Sequence, residues 1–207
     1  EDWPSKRLKT KTFHLVPPEN SAEQGKLSAQ PMEGQAAQTI SSAPGSSKST
    51  AGMPFISSTR NAHLNMPLKL DLAKVNSELA VVYKSDAFLQ DSLMLGAPRL
   101  QLKIETSRPQ VQLIAYLYEA NQEGRCRLIT HGPMTRHAVA PNKPFKASIE
   151  LVTTCYEIQK GNHLALVVDT SDLQYKSPTK DEFEVSFHFA DSVTVALEVP
   201  FAEADLF

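Results

Sequence analysis

The stretch from Val111 to Tyr118 reads VQLIAYLY, and seven of its eight residues are apolar. A short apolar run of this kind, rich in branched and aromatic residues, is typical of a strand that is buried on both faces. The turn sequence Asn121-Gln122-Glu123-Gly124 follows it, and Arg125 to Thr130 then leads back, which predicts a hairpin. We therefore expect this stretch to be the central strand of a sheet.

Apolar and polar residues alternate with a period of two on both sides of this stretch. Such alternation predicts half-buried strands, because successive side chains point to opposite faces of a sheet. Strands of this kind are expected at 10–16, 64–72, 100–104, 145–151, 164–168, 183–189 and 193–199, with a short apolar strand at 78–83. Pro67 interrupts the hydrogen-bond donors of the strand at 64–72, so this strand is expected at an edge.

About nine short strands are thus predicted, and no segment has a convincing amphipathic helical pattern apart from a turn near Ser85 to Leu93. Strands with one wet face favour antiparallel sheets that stack on each other. The predicted fold is all-β: a β-sandwich with an irregular N-terminal extension.

The extension has an unusual composition. From Asn20 to Gly52, 23 of 33 residues are Ser, Ala, Gly, Gln or Pro, and the larger apolar side chains are Leu27, Met32 and Ile40. Such a segment buries too little surface to offset its ordering entropy, which predicts a flexible tether unless another surface holds it. We expect residues 1–60 to form an approach segment and linker, and residues 61–207 to form the sandwich domain.

Composition and charge exclude several classes of function. The formal net charge is −2, so no global field attracts nucleic acid or anionic lipid. No run approaches the ~20 apolar residues of a membrane helix, and two cysteines cannot build a disulfide framework or a four-cysteine zinc site. The chain opens at Glu1 without Met, and we expect it to be a piece of a longer protein.

The motifs of common enzyme classes do not occur in this sequence. There is no G-x-S-x-G elbow, no glycine-rich phosphate loop of either common type, and no His-x-His pair. We therefore predict that this chain has no catalytic residue, binds no cofactor and holds no metal.

Several residues nevertheless have a second interpretation. Asp169 and Asp172 follow a predicted strand and could ligate Ca²⁺, although a strand-terminal turn is favoured. Cys126 and Cys155 could form a disulfide, but two separately buried thiols are favoured. The remaining candidates are expected to be solvated histidines (His131, His137, His163, His188) and packing or rim aromatics rather than a sugar-binding platform (Trp3, Tyr156, Tyr175). The basic run from Lys6 to Lys11 is expected to be a solvated strand face or part of a lost interdomain contact.

A longer pattern runs from Val82 to Leu100. It resembles a segment of the X-Pro dipeptidyl-peptidase C-terminal domain, which reads roughly Y-x-[ST]-x-P-L-x-x-D-x-x-[LV]-x-G-x-P. Ala87-Phe88 stands where Pro-Leu is usual. That domain is shared by cocaine-esterase-like acyl hydrolases and α-amino-acid ester hydrolases.

Further segments are similar to the family's motifs and keep their order along nearly the whole chain. They are Trp3-Pro4, Phe13 to Leu15, Gly25 to Leu27, Ala115 to Gly124, Leu128 to Arg136, Lys160 to Leu166 and Asp169 to Asp172. The family's Gly-His pair is spread here to Gly161-Asn162-His163.

The resemblance implies that catalysis takes place in a different domain of the same protein. In this family, a preceding α/β-hydrolase domain carries the serine, acid and histidine, and the C-terminal domain is a galactose-binding-like jelly roll that packs on it and helps to wall its active site. By resemblance, this chain is then the non-catalytic domain of an X-Pro dipeptidyl-peptidase or acyl esterase, whose intact form could be a homo-oligomer. The alternative is a stand-alone carbohydrate-binding module.

Overall fold

The chain folds almost entirely into strands. The computed structural model describes residues 8–20, 23–31, 37–43, 47–52, 64, 67–177, 179–189 and 195–203. The described strands are β1 (Leu8–Val16), β2 (Gly25–Ser28), β3 (Ala37–Ser41), β4 (Lys69–Asp71), β5 (Ala80–Ser85), β6 (Ser92–Gly96), β7 (Arg99–Thr106), β8 (Val111–Ala120), β9 (Arg125–Arg136), β10 (Phe145–Glu150), β11 (Thr154–Ile158), β12 (His163–Asp169), β13 (Glu184–His188) and β14 (Ala196–Ala202). The all-β fold that the alternation predicts is confirmed, and no described helix is long and apolar enough to cross a membrane.

Hydrogen bonds join these strands along one path. The order is β3-β13-β7-β14-β1-β2-β5-β12-β8-β9-β4, with β10 beside β7, β6 against β14 and β11 against β6. Neighbours are antiparallel except β2 and β5, which are parallel. β8 lies between β12 and β9, so the predicted central strand is confirmed. Gly124 has a φ of 77°, which closes the predicted β8–β9 hairpin without steric cost.

The path folds over so that two layers enclose a main core. One layer contributes alternate residues of β7, β10, β13 and β14, and the other contributes alternate residues of β5, β8 and β12. The buried residues on the two sides include Leu100, Leu102, Ile104, Ala147, Ile149, Val185, Phe187, Leu197, Val81, Tyr83, Leu113, Ala115, Leu117, Leu164, Leu166 and Val168. The sandwich is thus built from the residues that alternation assigns to the inner faces, and its finer assignment as galactose-binding-like stays a prediction.

A second, smaller core covers the other face of β8. Ile114, Tyr116 and Tyr118 of this strand pack there with residues of β5 and β12, beneath Ala51 and Leu72. This second cover explains why all ten residues of β8 are buried, whereas β7 buries alternate residues. The candidate site described below lies in this second core.

The segment from Asn20 to Gly52 does not behave as a tether where it is described. β2 pairs with β1 and β5, and β3 pairs with β13. Leu27 and Ile40 are buried in the main core, so two apolar side chains and a set of strand hydrogen bonds are enough to order these parts. The tether prediction is therefore wrong for them. Met32 and the boundary predicted between residues 60 and 61 lie outside the described residues.

The strand expected at 64–72 is much shorter than predicted. β4 has three residues and occupies one end of the strand order, as the position of Pro67 predicts. Leu72 begins a 3₁₀ turn (Leu72–Lys74), because the Asp71 side chain accepts a hydrogen bond from the Ala73 amide at 3.2 Å. Residues 65 and 66 lie outside the described residues.

Two other strands were not predicted. β6 and β11 pair with each other, and each has only five residues. No helical turn forms near Ser85 to Leu93, where the loop 86–91 is irregular and β6 begins at Ser92.

Replacing Leu27 tests whether β2 is an integral part of the core. We expect Leu27→Ala to lower the free energy of unfolding by about 2–5 kcal/mol, because it removes buried methyl groups and leaves a cavity. Lys26→Ala on the exposed side of the same strand is the control and should change it by less than about 0.5 kcal/mol. Urea unfolding monitored by circular dichroism measures both values, and equal effects would contradict the role of β2.

Candidate functional site: a buried carboxylate pair

Asp169 and Asp172 lie at the end of β12 and are both buried. They are 1% and 9% exposed. Asp172 Oδ1 accepts a hydrogen bond from the Gln174 amide at 2.7 Å, and its carbonyl accepts one from the Tyr175 amide at 3.1 Å. The predicted strand-terminal turn is therefore present, but the burial of both carboxyl groups is unexpected.

Three hydroxyl groups lie within hydrogen-bond distance of the Asp169 carboxyl group. Ser47 Oγ and Ser49 Oγ lie 2.6 and 2.7 Å from Asp169 Oδ2, and the Tyr116 hydroxyl lies 3.2 Å from Oδ1. Tyr116 comes from the neighbouring strand β8, whereas both serines come from a segment more than a hundred residues earlier in the chain. Asp169 therefore joins that segment to the centre of the sheet.

Asp172 holds the same segment, Ser47–Gly52, at a second point. Its Oδ2 accepts a hydrogen bond from the Ala51 amide at 2.7 Å and lies 3.1 Å from the Tyr116 hydroxyl. Gln174 Nε2 donates to the Ala51 carbonyl at 2.5 Å, and the Ser47 carbonyl accepts from the Asn76 amide at 3.1 Å. Polar contacts along its length thus fix the Ser47–Gly52 segment over the second core.

The number of hydrogens in this cluster constrains its protonation. Besides the four contacts of hydroxyl groups with carboxyl oxygens, Ser47 Oγ and Ser49 Oγ lie 2.7 Å apart, which makes five oxygen–oxygen contacts. Ser47, Ser49 and Tyr116 supply three hydroxyl hydrogens. If both carboxyl groups were ionised, two contacts would bring lone pairs together. A proton on Asp169 supplies a fourth hydrogen and relieves one of these contacts.

The electrostatics of the cluster agree with that count. The pKa of Asp169 is raised to about 7: burial raises it most, the charge of Asp172 adds to this, and the hydrogen bonds from Ser47, Ser49 and Tyr116 partly offset both. Burial also raises the pKa of Tyr116, and the charges of Asp169 and Asp172 raise it further. Tyr116 is therefore a neutral hydroxyl at physiological pH, and Asp169 titrates near neutrality.

His131 lies next to this cluster rather than in solvent. The Tyr175 hydroxyl is 2.8 Å from its Nδ1, and burial lowers the pKa of the imidazole while the charge of Asp172 raises it. His137 is exposed, as expected. The prediction of a solvated His131 is wrong because β9 continues through Gly132-Pro133, where the absence of a Gly132 side chain lets the strand lie against Glu150.

The cluster is suited to holding a segment rather than to acyl transfer. Acyl transfer by a Ser-His-Asp triad requires a serine hydroxyl that donates to an imidazole nitrogen. Ser47 and Ser49 are buried and donate to a carboxyl group instead. Both carboxyl groups are already occupied by hydroxyl and amide donors, and the described residues contain no group of three or more metal-ligating side chains.

The other candidate residues lie in ordinary structural positions. Cys126 and Cys155 are both free, and Cys155 is exposed, so the prediction of two buried thiols holds only for Cys126. Burial raises the pKa of the Cys126 thiol to about 12, although Lys84 lowers it.

His163 and Tyr156 have hydrogen-bond partners, whereas Nε2 of His188 is buried without a hydrogen-bond partner among the described residues. His163 Nδ1 lies 2.8 Å from the Ser85 carbonyl oxygen, and His188 Nε2 lies 3.5 Å from Glu105 Oε2. The Tyr156 hydroxyl donates to Glu119 Oε2 at 2.5 Å. Trp3, Lys6 and Arg7 lie outside the described residues.

One local signal of the cluster is present in the sequence. Ser47, Ser49 and Ala51 are spaced by two, which would place them on one side of an extended segment. Nothing in this spacing identifies Asp169 as their partner.

The chain matches one family model. The model describes the X-Pro dipeptidyl-peptidase C-terminal non-catalytic domain and matches residues 1–195. No curated protein sequence matches the chain.

Solved structures with a similar fold are much longer than this chain. An aminopeptidase from the marine sediment archaeon Thaumarchaeota archaeon superposes with a TM-score of 0.69 at 12% identity, over 98% of this chain and 38% of its own. A CocE/NonD family hydrolase from Staphylococcus aureus superposes with a TM-score of 0.68 at 11% identity, over 98% of this chain and 38% of its own. An α-amino acid ester hydrolase superposes with a TM-score of 0.68 at 14% identity, over 93% of this chain and 36% of its own. These similarities show the fold, and this chain spans little more than a third of each structure.

Replacing Asp169 tests the proton count. The folded-state pKa of about 7 lies above the unfolded value of 3.8, so the folded protein binds more protons between pH 4 and 7. The contribution of Asp169 to stability should therefore fall across this window as pH rises, by roughly 4 kcal/mol at most, whereas His131, whose pKa is lowered by burial, contributes in the opposite direction. Asp169→Asn keeps a donor at this position without titrating, so its stability relative to the unsubstituted protein should rise between pH 4 and 7.

Chemical denaturation at a series of pH values measures this difference. Asp181→Asn, at an exposed position, is the matched control and should follow the unsubstituted protein at every pH. Parallel curves for Asp169→Asn and the unsubstituted protein would show that Asp169 is ionised throughout.

Proposed function

This chain belongs to the family of X-Pro dipeptidyl-peptidase C-terminal non-catalytic domains, and we propose that it is that part of a longer serine hydrolase. In this proposal the chain packs on an α/β-hydrolase domain of the same polypeptide and helps to wall its active site. The observation that carries the proposal is the family match, which extends over residues 1–195.

The lengths of the similar structures support a larger parent. This chain covers 36–38% of an aminopeptidase, a CocE/NonD family hydrolase and an α-amino acid ester hydrolase. We infer a parent that transfers an acyl group from a peptide or an ester, through a serine, histidine and acid and an oxyanion hole in the preceding domain.

The chemistry of the described residues is compatible with a supporting role. The buried serines of the Ser47–Gly52 segment donate to Asp169, so they hold this segment in place and are not poised to attack a carbonyl carbon. Buried, hydrogen-bonded hydroxyl and carboxyl groups of this kind specify one arrangement of the chain over the second core.

A serine-directed phosphonate probe tests which part of the intact parent is catalytic. We expect the label on a serine before Glu1 and on none within residues 1–207, as mapped by peptide mass spectrometry. The double variant Ser47→Ala/Ser49→Ala should be labelled within about twofold of the unsubstituted rate, provided that circular dichroism shows it to be folded.

Three results would contradict the proposal. They are a label within residues 1–207, turnover of an X-Pro-nitroanilide or a short-chain ester by residues 1–207 alone, and a parent reading frame without a hydrolase domain. Saturable glycan binding by residues 1–207 would favour the carbohydrate-binding alternative instead.

A further inference from the structure

An open groove of about 1100 Å³ lies beside the loop 86–91, where β1 and β14 form its other borders. Phe13 and Leu27, which belong to the main core, line it together with the partly buried Phe88 and Phe201. The groove is thus an opening in the surface of the sandwich at which the core side chains come close to solvent.

Leu89 stands at this groove with most of its surface in water. It is 88% exposed, more than the other exposed large apolar side chains that the structure describes, Leu64, Val152 and Leu173. A single exposed leucine is common on protein surfaces. An exposed leucine beside a groove that is partly lined by apolar side chains is what a partner that fills the groove would bury.

Hydrogen bonds hold the loop on both sides of Leu89. The Phe88 amide donates to the Asn162 carbonyl at 2.8 Å, and the Phe88 carbonyl accepts from the Gly161 amide at 2.8 Å. The Lys160 amide donates to Asp91 Oδ1 at 2.7 Å. The loop is already held against the β11–β12 turn, so the binding of a partner to Leu89 costs little loop conformational entropy.

The surroundings of the groove have the composition of an interface. The Phe88 and Phe201 rings lie 5.9 Å apart, and Lys11 Nζ lies 5.6 Å from the centre of the Phe88 ring. An ion pair of 2.9 Å between Lys9 and Glu203 stands at the rim. Aromatic and apolar groups with charged groups around them are typical of protein interfaces.

We propose that this groove is the surface on which the catalytic domain of the same polypeptide docks, with Leu89 as its central apolar contact. The inference rests on the proposed function, in which the catalytic domain precedes this chain. Under that function, the connecting polypeptide enters at β1, whose residues 9–11 line the groove. A covalent connection that enters at the rim gives the catalytic domain a high effective concentration at this surface.

Cysteine labelling in the intact parent measures whether Leu89 is covered. Leu89→Cys and the matched control Leu173→Cys are made in a Cys155→Ser background, because Cys155 is itself exposed. Leu173 is 74% exposed and does not line the groove. We expect a maleimide to react with Leu89→Cys at least tenfold more slowly than with Leu173→Cys. Equal rates, or slower reaction of Leu173→Cys, would overturn the proposal.

A second experiment separates this inference from the proposed function. A protease site is placed immediately before Glu1 of the intact parent, the connection is cut, and the products are separated by gel filtration. We expect the unsubstituted parts and those with Leu173→Arg to remain together, and those with Leu89→Arg to separate. Both leucines are exposed, so neither arginine has to be accommodated in a core.

Each remaining outcome has one meaning. If the unsubstituted parts separate, the domains do not pack and the proposed function fails together with the docking surface. If the parts stay together with Leu89→Arg, the domains pack through another surface and only the groove assignment fails. Protection of Leu89→Cys that is lost on dilution would show that a second copy covers the groove, which would also overturn the assignment.

Discussion

The burial of β8 on both faces is the constraint on which the rest of this structure depends. A strand that is covered on one face can expose its polar side chains to water on the other face, but β8 and β12 lie between two cores. Any carboxyl group at the end of β12 is then desolvated, and a buried carboxyl group without partners is strongly unfavourable. Asp169 and Asp172 are tolerated there because the Ser47–Gly52 segment and Tyr116 provide hydroxyl and amide donors. The same donors fix that segment over the second core.

The parts of the fold that depend on local patterns were predictable from the sequence. The apolar run of β8, the turn that ends at Gly124 and the alternation in β7 and β13 each follow from neighbouring residues. The carboxylate cluster was not predictable, because Asp169 lies 122 residues from Ser47 and 120 residues from Ser49. No periodicity within either segment shows that the two will meet.

The composition of the segment 20–52 was misleading for a different reason. An average over many small and polar residues predicts too little burial for independent order. The described parts are held by other strands: β3 adds to β13 at one end of the strand order, β2 lies between β1 and β5, and Leu27 and Ile40 enter a core to which other strands contribute most side chains. The cost of ordering a segment is lower when its partner surface already exists, so composition alone overestimates the flexibility of a segment that docks.

The groove and the carboxylate cluster occupy different parts of this architecture. Phe13 and Leu27, which line the groove, belong to the main core, whereas Ala51 and Tyr116 at the cluster belong to the second. Sites without shared side chains generally change stability independently. Protonation of Asp169 should therefore alter how firmly the Ser47–Gly52 segment is held without altering the rigid loop that presents Leu89. A domain built in this way can keep one surface constant for a partner while a separate core carries a carboxyl group that titrates near neutrality.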